Sequence, residues 1–161
     1  MTTFVFVLVI FFGTIGLIYQ HRCYEKERCQ VMGEMCELLE TLEREVASLS
    51  TQPLLSGLEE KCPILVERGV LRALAKTEDI GLTLSEMLRT LPLPEAVGEM
   101  LVGYFSSFGH GERSLECESC SQLLARMRTL TEEEKEASKN RERAFEVVVA
   151  SCALCLVILL L

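Results

Sequence analysis

Apolar residues crowd the two ends of the chain and recur at helical spacing between them. Met1 to Gln20 carries no charged side chain and includes the run Phe4-Val5-Phe6-Val7-Leu8-Val9-Ile10-Phe11-Phe12. As a helix, residues 2–19 rise about 27 Å at ~1.5 Å per residue, close to the roughly 30 Å of a bilayer's hydrocarbon core. Tyr19 falls at interface depth, where an amphipathic ring is at home. The second run, residues 144–161, has Glu146 as its one charge and ends Leu156-Val157-Ile158-Leu159-Leu160-Leu161. It is slightly short for a straight span, yet apolar all round, which suits crossing better than lying on a surface. Met1-Thr2-Thr3 has no basic residue, and Gly16-Leu17-Ile18-Tyr19-Gln20 has no small-x-small cleavage site. The first run is therefore expected to be an uncleaved anchor, not a signal peptide.

Between these runs the pattern has a helical period, with no alternating stretch long enough for a strand. Val31, Met35, Leu38, Leu42, Val46 and Leu49 predict a long amphipathic helix from Tyr24 to Leu49, continuous with the first span. A short helix is expected from Pro53, with Leu54, Leu55, Leu58 and Cys62 inward, ended by Pro63. A single helix is predicted over residues 64–76, then a turn at 79–81. Thr83-Leu84-Ser85-Glu86 reads as a capping box ahead of Met87, Leu88 and Leu91. Pro92 and Pro94 separate this helix from one carrying Val97, Met100, Leu101, Tyr104, Phe105 and Phe108, with Gly109-His110-Gly111 as its cap. A last helix begins near Ser114, with Cys117, Cys120, Leu123, Leu124, Met127 and Leu130 as its stripe. Residues 131–143 are almost wholly polar and read as a solvated helical stalk. The expected fold is all-α: a compact bundle of about six helices inserted between two terminal transmembrane helices. Its parts are a span over 1–20, a juxtamembrane helix over 21–50, a bundle over 51–130, the stalk over 131–143 and a span over 144–161.

Charge gives this plan an orientation. Arg22, Lys26 and Arg28 follow the first span, and Lys135, Lys139, Arg141 and Arg143 precede the second. With all the flanking cations on the central side, residues 21–143 are expected in the cytosol and both termini outside. The 161 residues carry 16 basic and 24 acidic side chains, a net charge of −8, and the mean hydropathy is positive. That balance excludes a nucleic-acid binder, which needs a cationic stripe to neutralise phosphates.

Eight cysteines raise a metal or redox alternative, in which the Cys117-x-x-Cys120 pair makes the chain a thiol redox or metal-sensing membrane protein. A structural zinc site needs four ligands, and no second pair stands at ligand spacing in the central region. Cys117 and Cys120 also extend the stripe of Leu124 and Met127, so packing explains them. With histidine only at positions 21 and 110, and no nucleophile elbow or phosphate loop, no enzyme and no cofactor are expected. Gly13-x-x-Gly16 is either a close-approach point for another helix or ordinary filling.

The order of these pieces resembles one family, the stage III sporulation protein AB of endospore-forming Firmicutes. The likeness covers nearly the full chain. It rests on the basic edge after the first span, Leu38-Leu39-Glu40-Thr41-Leu42-Glu43-Arg44-Glu45, Thr51-Gln52-Pro53-Leu54, Leu84-Ser85-Glu86-Met87-Leu88, Tyr104-Phe105-Ser106-Ser107-Phe108-Gly109 and the Glu-rich stalk. Where relatives usually have an Asp shortly after that Gly, this chain has His110-Gly111-Glu112-Arg113, with Glu112 nearest in kind. The resemblance implies a non-enzymatic platform subunit in the mother-cell membrane around the forespore, within a secretion-like channel complex. Its helical domain would look like the cytosolic domain of type II secretion platforms. The implied partners are the bilayer, the sporulation ATPase (stage III sporulation protein AA) and other membrane subunits of the channel, with self-association open. The expected contact surface is the glycine turn and its flank: Phe105, Phe108, Gly109, His110, Gly111 and Glu112.

Overall fold

Among the described residues, the helix breaks at Pro63, at Gly69 and at Pro92 to Pro94 fall where proline or a left-handed glycine interrupts the backbone ladder. The computed structural model describes residues 2–48, 57–74, 80–107 and 113–160. Among them are seven helices and no strand: α1 (Thr2–Ser48), α2 (Leu58–Lys61), α3 (Pro63–Glu67), α4 (Val70–Leu74), α5 (Ile80–Leu88), α6 (Glu95–Ser107) and α7 (Arg113–Leu160). The continuity expected across Tyr24 is present, since α1 runs 47 residues without a break. Residues 49–56, 75–79 and 108–112 lie outside the description, and with them the expected helix start at Pro53 and the glycine cap.

Two local expectations are corrected. The single helix over 64–76 is two, because Gly69 sits at φ +76° between α3 and α4. That left-handed geometry ends the ladder, and glycine adopts it without steric cost. The capping box at Thr83 to Glu86 lies inside α5, which is already helical at Ile80. There the Ser85 hydroxyl donates back to the Leu82 carbonyl at 2.8 Å, a bond made inside a helix.

The chain forms two compact units. One comprises Arg28–Glu132; the other comprises Met1–Glu27 with Glu133–Leu161. In the first, α1 contributes Val31, Met32, Met35, Leu38, Leu39 and Leu42 to a core that also takes Leu65, Leu84, Leu101, Phe105, Cys120 and Met127, all nearly or fully buried. The stripe on α1 is thus wider than the expected one, since Met32 and Leu39 are buried beside Val31, Met35, Leu38 and Leu42.

The second unit pairs part of α1 with part of α7, antiparallel, and over residues 5–19 and 147–159 its exposed surface is mostly apolar. Phe6, Val9, Phe11, Phe12, Leu17 and Tyr19 are all more than half exposed, and so are Val147, Leu154, Ile158 and Leu159. Among the described residues one helix, the Val5–Arg44 stretch of α1, is long and apolar enough to cross a membrane, and none of its apolar window is buried. Between the helices, Val7, Ile10 and Thr14 face Ala150, Ala153 and Val157 along an apolar groove of about 300 Å³. Gly13 and Gly16 are exposed, with open space where a side chain would be.

Candidate functional site

Charged side chains gather where the apolar stretches of the two-helix unit end. Arg141 on α7 forks onto Glu25 of α1, with Nε donating to Oε1 at 3.2 Å and Nη2 to Oε2 at 2.7 Å. The same guanidinium also donates to Glu134 on its own helix. Glu25 is almost completely buried, so its charge needs this partner. The hydrogen bond to Glu25 holds the Arg141 guanidinium above its ordinary value, against the pull of burial and with help from Glu134. Closer to the apolar run, Arg22 donates to Glu146 at 2.7 Å, and the His21 ring stacks on Phe145 with centroids 4.0 Å apart and planes 9° from parallel. Glu146, the one charge of the C-terminal run, is thereby neutralised by a cation from the other helix.

The stalk expectation is only half right in this light. Thr131 and Ser138 are buried, and Glu134 and Arg141 are partly so, at spacings of three and four. In the two-helix unit, one face of α7 over residues 134–141 is thus turned inward, while Glu133, Lys135, Glu136 and Lys139 remain exposed.

In the larger unit the polar feature that matters most is Glu34. Its carboxylate, buried on α1, accepts from Ile64 N at 3.2 Å and Leu65 N at 2.9 Å, the free donors at the start of α3. Cys62, the residue at the cap position of α3, makes no capping bond with its side chain, so a distant acid supplies the acceptor. The Cys62 thiol donates to the Glu34 carbonyl at 3.6 Å; burial first, and then the charges of Glu34 and Glu37, push it up to about 11. Sequence reading missed this arrangement. A proline-started helix without a cap residue signals that an acceptor is owed, but not which of 24 acids provides it.

Of the six expected contact residues, Phe105 is fully buried with its ring edge-on to Tyr104, centroids 5.1 Å apart. It is core and presents no surface, a correction that follows from its place on the same stripe as Val97 and Leu101. Phe108, Gly109, His110, Gly111 and Glu112 lie outside the described residues. Cys120 is buried and its thiol reaches the Leu39 carbonyl at 3.7 Å, while Cys117 is partly exposed. Burial raises the Cys120 thiol above its ordinary value, which keeps it protonated and unreactive near neutral pH. Among the described residues, no three His, Cys, Asp or Glu side chains converge as metal ligands would. Compared with family models, curated proteins and solved structures, the chain matches none.

Proposed function

We propose that this protein is a non-enzymatic platform subunit held in a membrane by two helices, of the stage III sporulation protein AB kind, that docks a cytosolic secretion-type ATPase. One observation carries the reading: in the two-helix unit, the large apolar side chains over residues 5–19 and 147–159 face outward, uncovered among the described residues. An isolated pair of helices with that surface is stable against lipid and not against water. The charged collar formed by Arg22, Glu25, Glu134, Arg141 and Glu146 fits the boundary, because each carboxylate there has a guanidinium partner. The α7 run from Val147 crosses as the second span, with Glu146 at headgroup depth. The cations beside both runs put residues 21–143 in the cytosol, facing the compartment that holds ATP.

Topology is tested on a variant that retains Cys23, exposed near the edge of the first span, as its single cysteine. A membrane-impermeant maleimide should label it in inverted vesicles and spare it in intact cells; the reverse pattern overturns the cytosolic placement. Docking is tested by retention of the sporulation ATPase on the full chain in nanodiscs, with Glu112→Lys as a site variant. Retention that Glu112→Lys weakens is expected. No retention by the wild-type chain rejects the platform role.

A further inference from the structure

The turn from α5 to α6 leaves a groove open on the larger unit, and its makeup defines what it can hold. Leu91 and Leu93, with Val102 on α6, supply apolar walls, and the volume is about 430 Å³. Ligand pockets run from roughly 300 to 1,000 Å³, so this one has room for one or two side chains and not for a helix. It is built from rigid parts. Thr90 N and Leu91 N bond back to Met87 and Leu88 carbonyls at 2.9 and 3.3 Å, and Leu93 N bonds to Leu91 O at 2.8 Å. Pro92 and Pro94 fix the backbone between them, so little order is lost when the groove fills. It is open because residue 98 is glycine: nothing lies within 4 Å of where its side chain would be.

Charge selects the occupant. Arg89, Glu95 and Glu99 stand on the rim, exposed, and none has a hydrogen-bond or ion-pair partner among the described residues. Glu95 and Glu99 are one helical turn apart on α6 and so share a face. Two free carboxylates repel a lipid phosphate and attract cations. A Lys or Arg whose apolar stem lies along the wall and whose head reaches the carboxylates satisfies both features at once. We propose that this groove is the seat of a protein segment with an apolar anchor side chain flanked by cationic ones. Arg89, which also lines the groove, receives an acid or a carbonyl of the same segment and sets its direction. The inference deepens the docking reading, and rests on it only for the identity of the partner.

The test uses the full chain in detergent micelles and a short fluorescent helical peptide with two leucines one turn apart, flanked by lysines. A control peptide carries glutamate in place of each lysine. The lysine peptide is expected to bind at least about tenfold more tightly than the control, by anisotropy. Gly98→Leu fills the groove from within a helix and should reduce that affinity about tenfold without lowering the unfolding temperature. A double Glu95→Lys, Glu99→Lys variant, confined to exposed positions, should reverse the peptide preference. Equal binding by the wild type and Gly98→Leu, or no charge preference, overturns the proposal. The ATPase separates the two readings. Retention on wild type and Gly98→Leu alike leaves docking standing and removes the groove as its seat. Peptide binding in the groove with no ATPase retained does the opposite.

Discussion

At the scale of single residues, burial decides which polar groups hold the structure and which thiols stay silent. The carboxylate of Glu34 replaces the cap that α3 lacks, so Glu34→Ala leaves the Ile64 and Leu65 amides without an acceptor. The expected cost is about 1–3 kcal/mol, read by chemical denaturation of the full chain in detergent; Glu34→Gln, which keeps a carbonyl oxygen, should lose less. The thiols give a pH signature. Cys62 is raised in the fold from 9.0 to about 11, so the folded state keeps a proton that the unfolded chain releases earlier. Its contribution is therefore fully present below about pH 9 and is lost as pH climbs towards 11. Cys36 and Cys120, raised chiefly by burial, add in the same direction. Stability is expected to fall across that alkaline window, less steeply in Cys62→Ala. Near pH 8, maleimide should modify exposed Cys23 at once, and Cys62 and Cys120 only on unfolding.

At the scale of elements, two glycines in the same unit have opposite roles, and substitution separates them. Gly69 joins α3 to α4 at φ +76°, where a side chain is strained even though space is open. Gly69→Ala should therefore destabilise by about 1–2 kcal/mol. Gly98 is in the body of α6 with open space around it, so Gly98→Ala should stabilise by about 0.5–1 kcal/mol through backbone entropy. Parallel denaturation curves of the two variants check both signs. Apolar spacing made α6 and the start of α7 readable in advance, because a stripe of Val97, Leu101 and Phe105 admits one buried face. The same periodicity ran straight through Gly69, because hydrophobic spacing records the face a segment buries and not the sign of a backbone angle. The capping-box pattern misled for a related reason. Hydroxyl and carboxylate at that spacing occur inside helices too, and only the start of α5 at Ile80 shows which case applies.

At the scale of the whole molecule, the question is how a pair of helices clad in apolar side chains keeps its polar seam in register. Arg141 holds two carboxylates at once, one on each helix. Arg141→Ala removes the guanidinium that bridges the buried Glu25 and Glu134. The expected loss is about 2 kcal/mol, below the usual figure for a severed buried pair because the guanidinium is more than a third exposed. Faster amide exchange at residues 21–27 in nanodiscs should report it. Arg141→Lys should recover part of the protection, since an ammonium keeps the charge and loses the fork.

Sequence alone determined the helical class, the apolar first segment and the stripes that form the core. Each of these depends on residue type and spacing within one stretch of chain, and such patterns survive without knowledge of neighbours. Only the tertiary structure decided that Glu34 caps a helix thirty residues away and that Phe105 is core and not contact surface. It also decided that Arg141 pairs with the buried Glu25 and that Gly98 opens a groove whose rim charges have no partner among the described residues. These are meetings between distant segments, and no local period encodes which of many similar acids, cations or glycines will face one another once the helices pack.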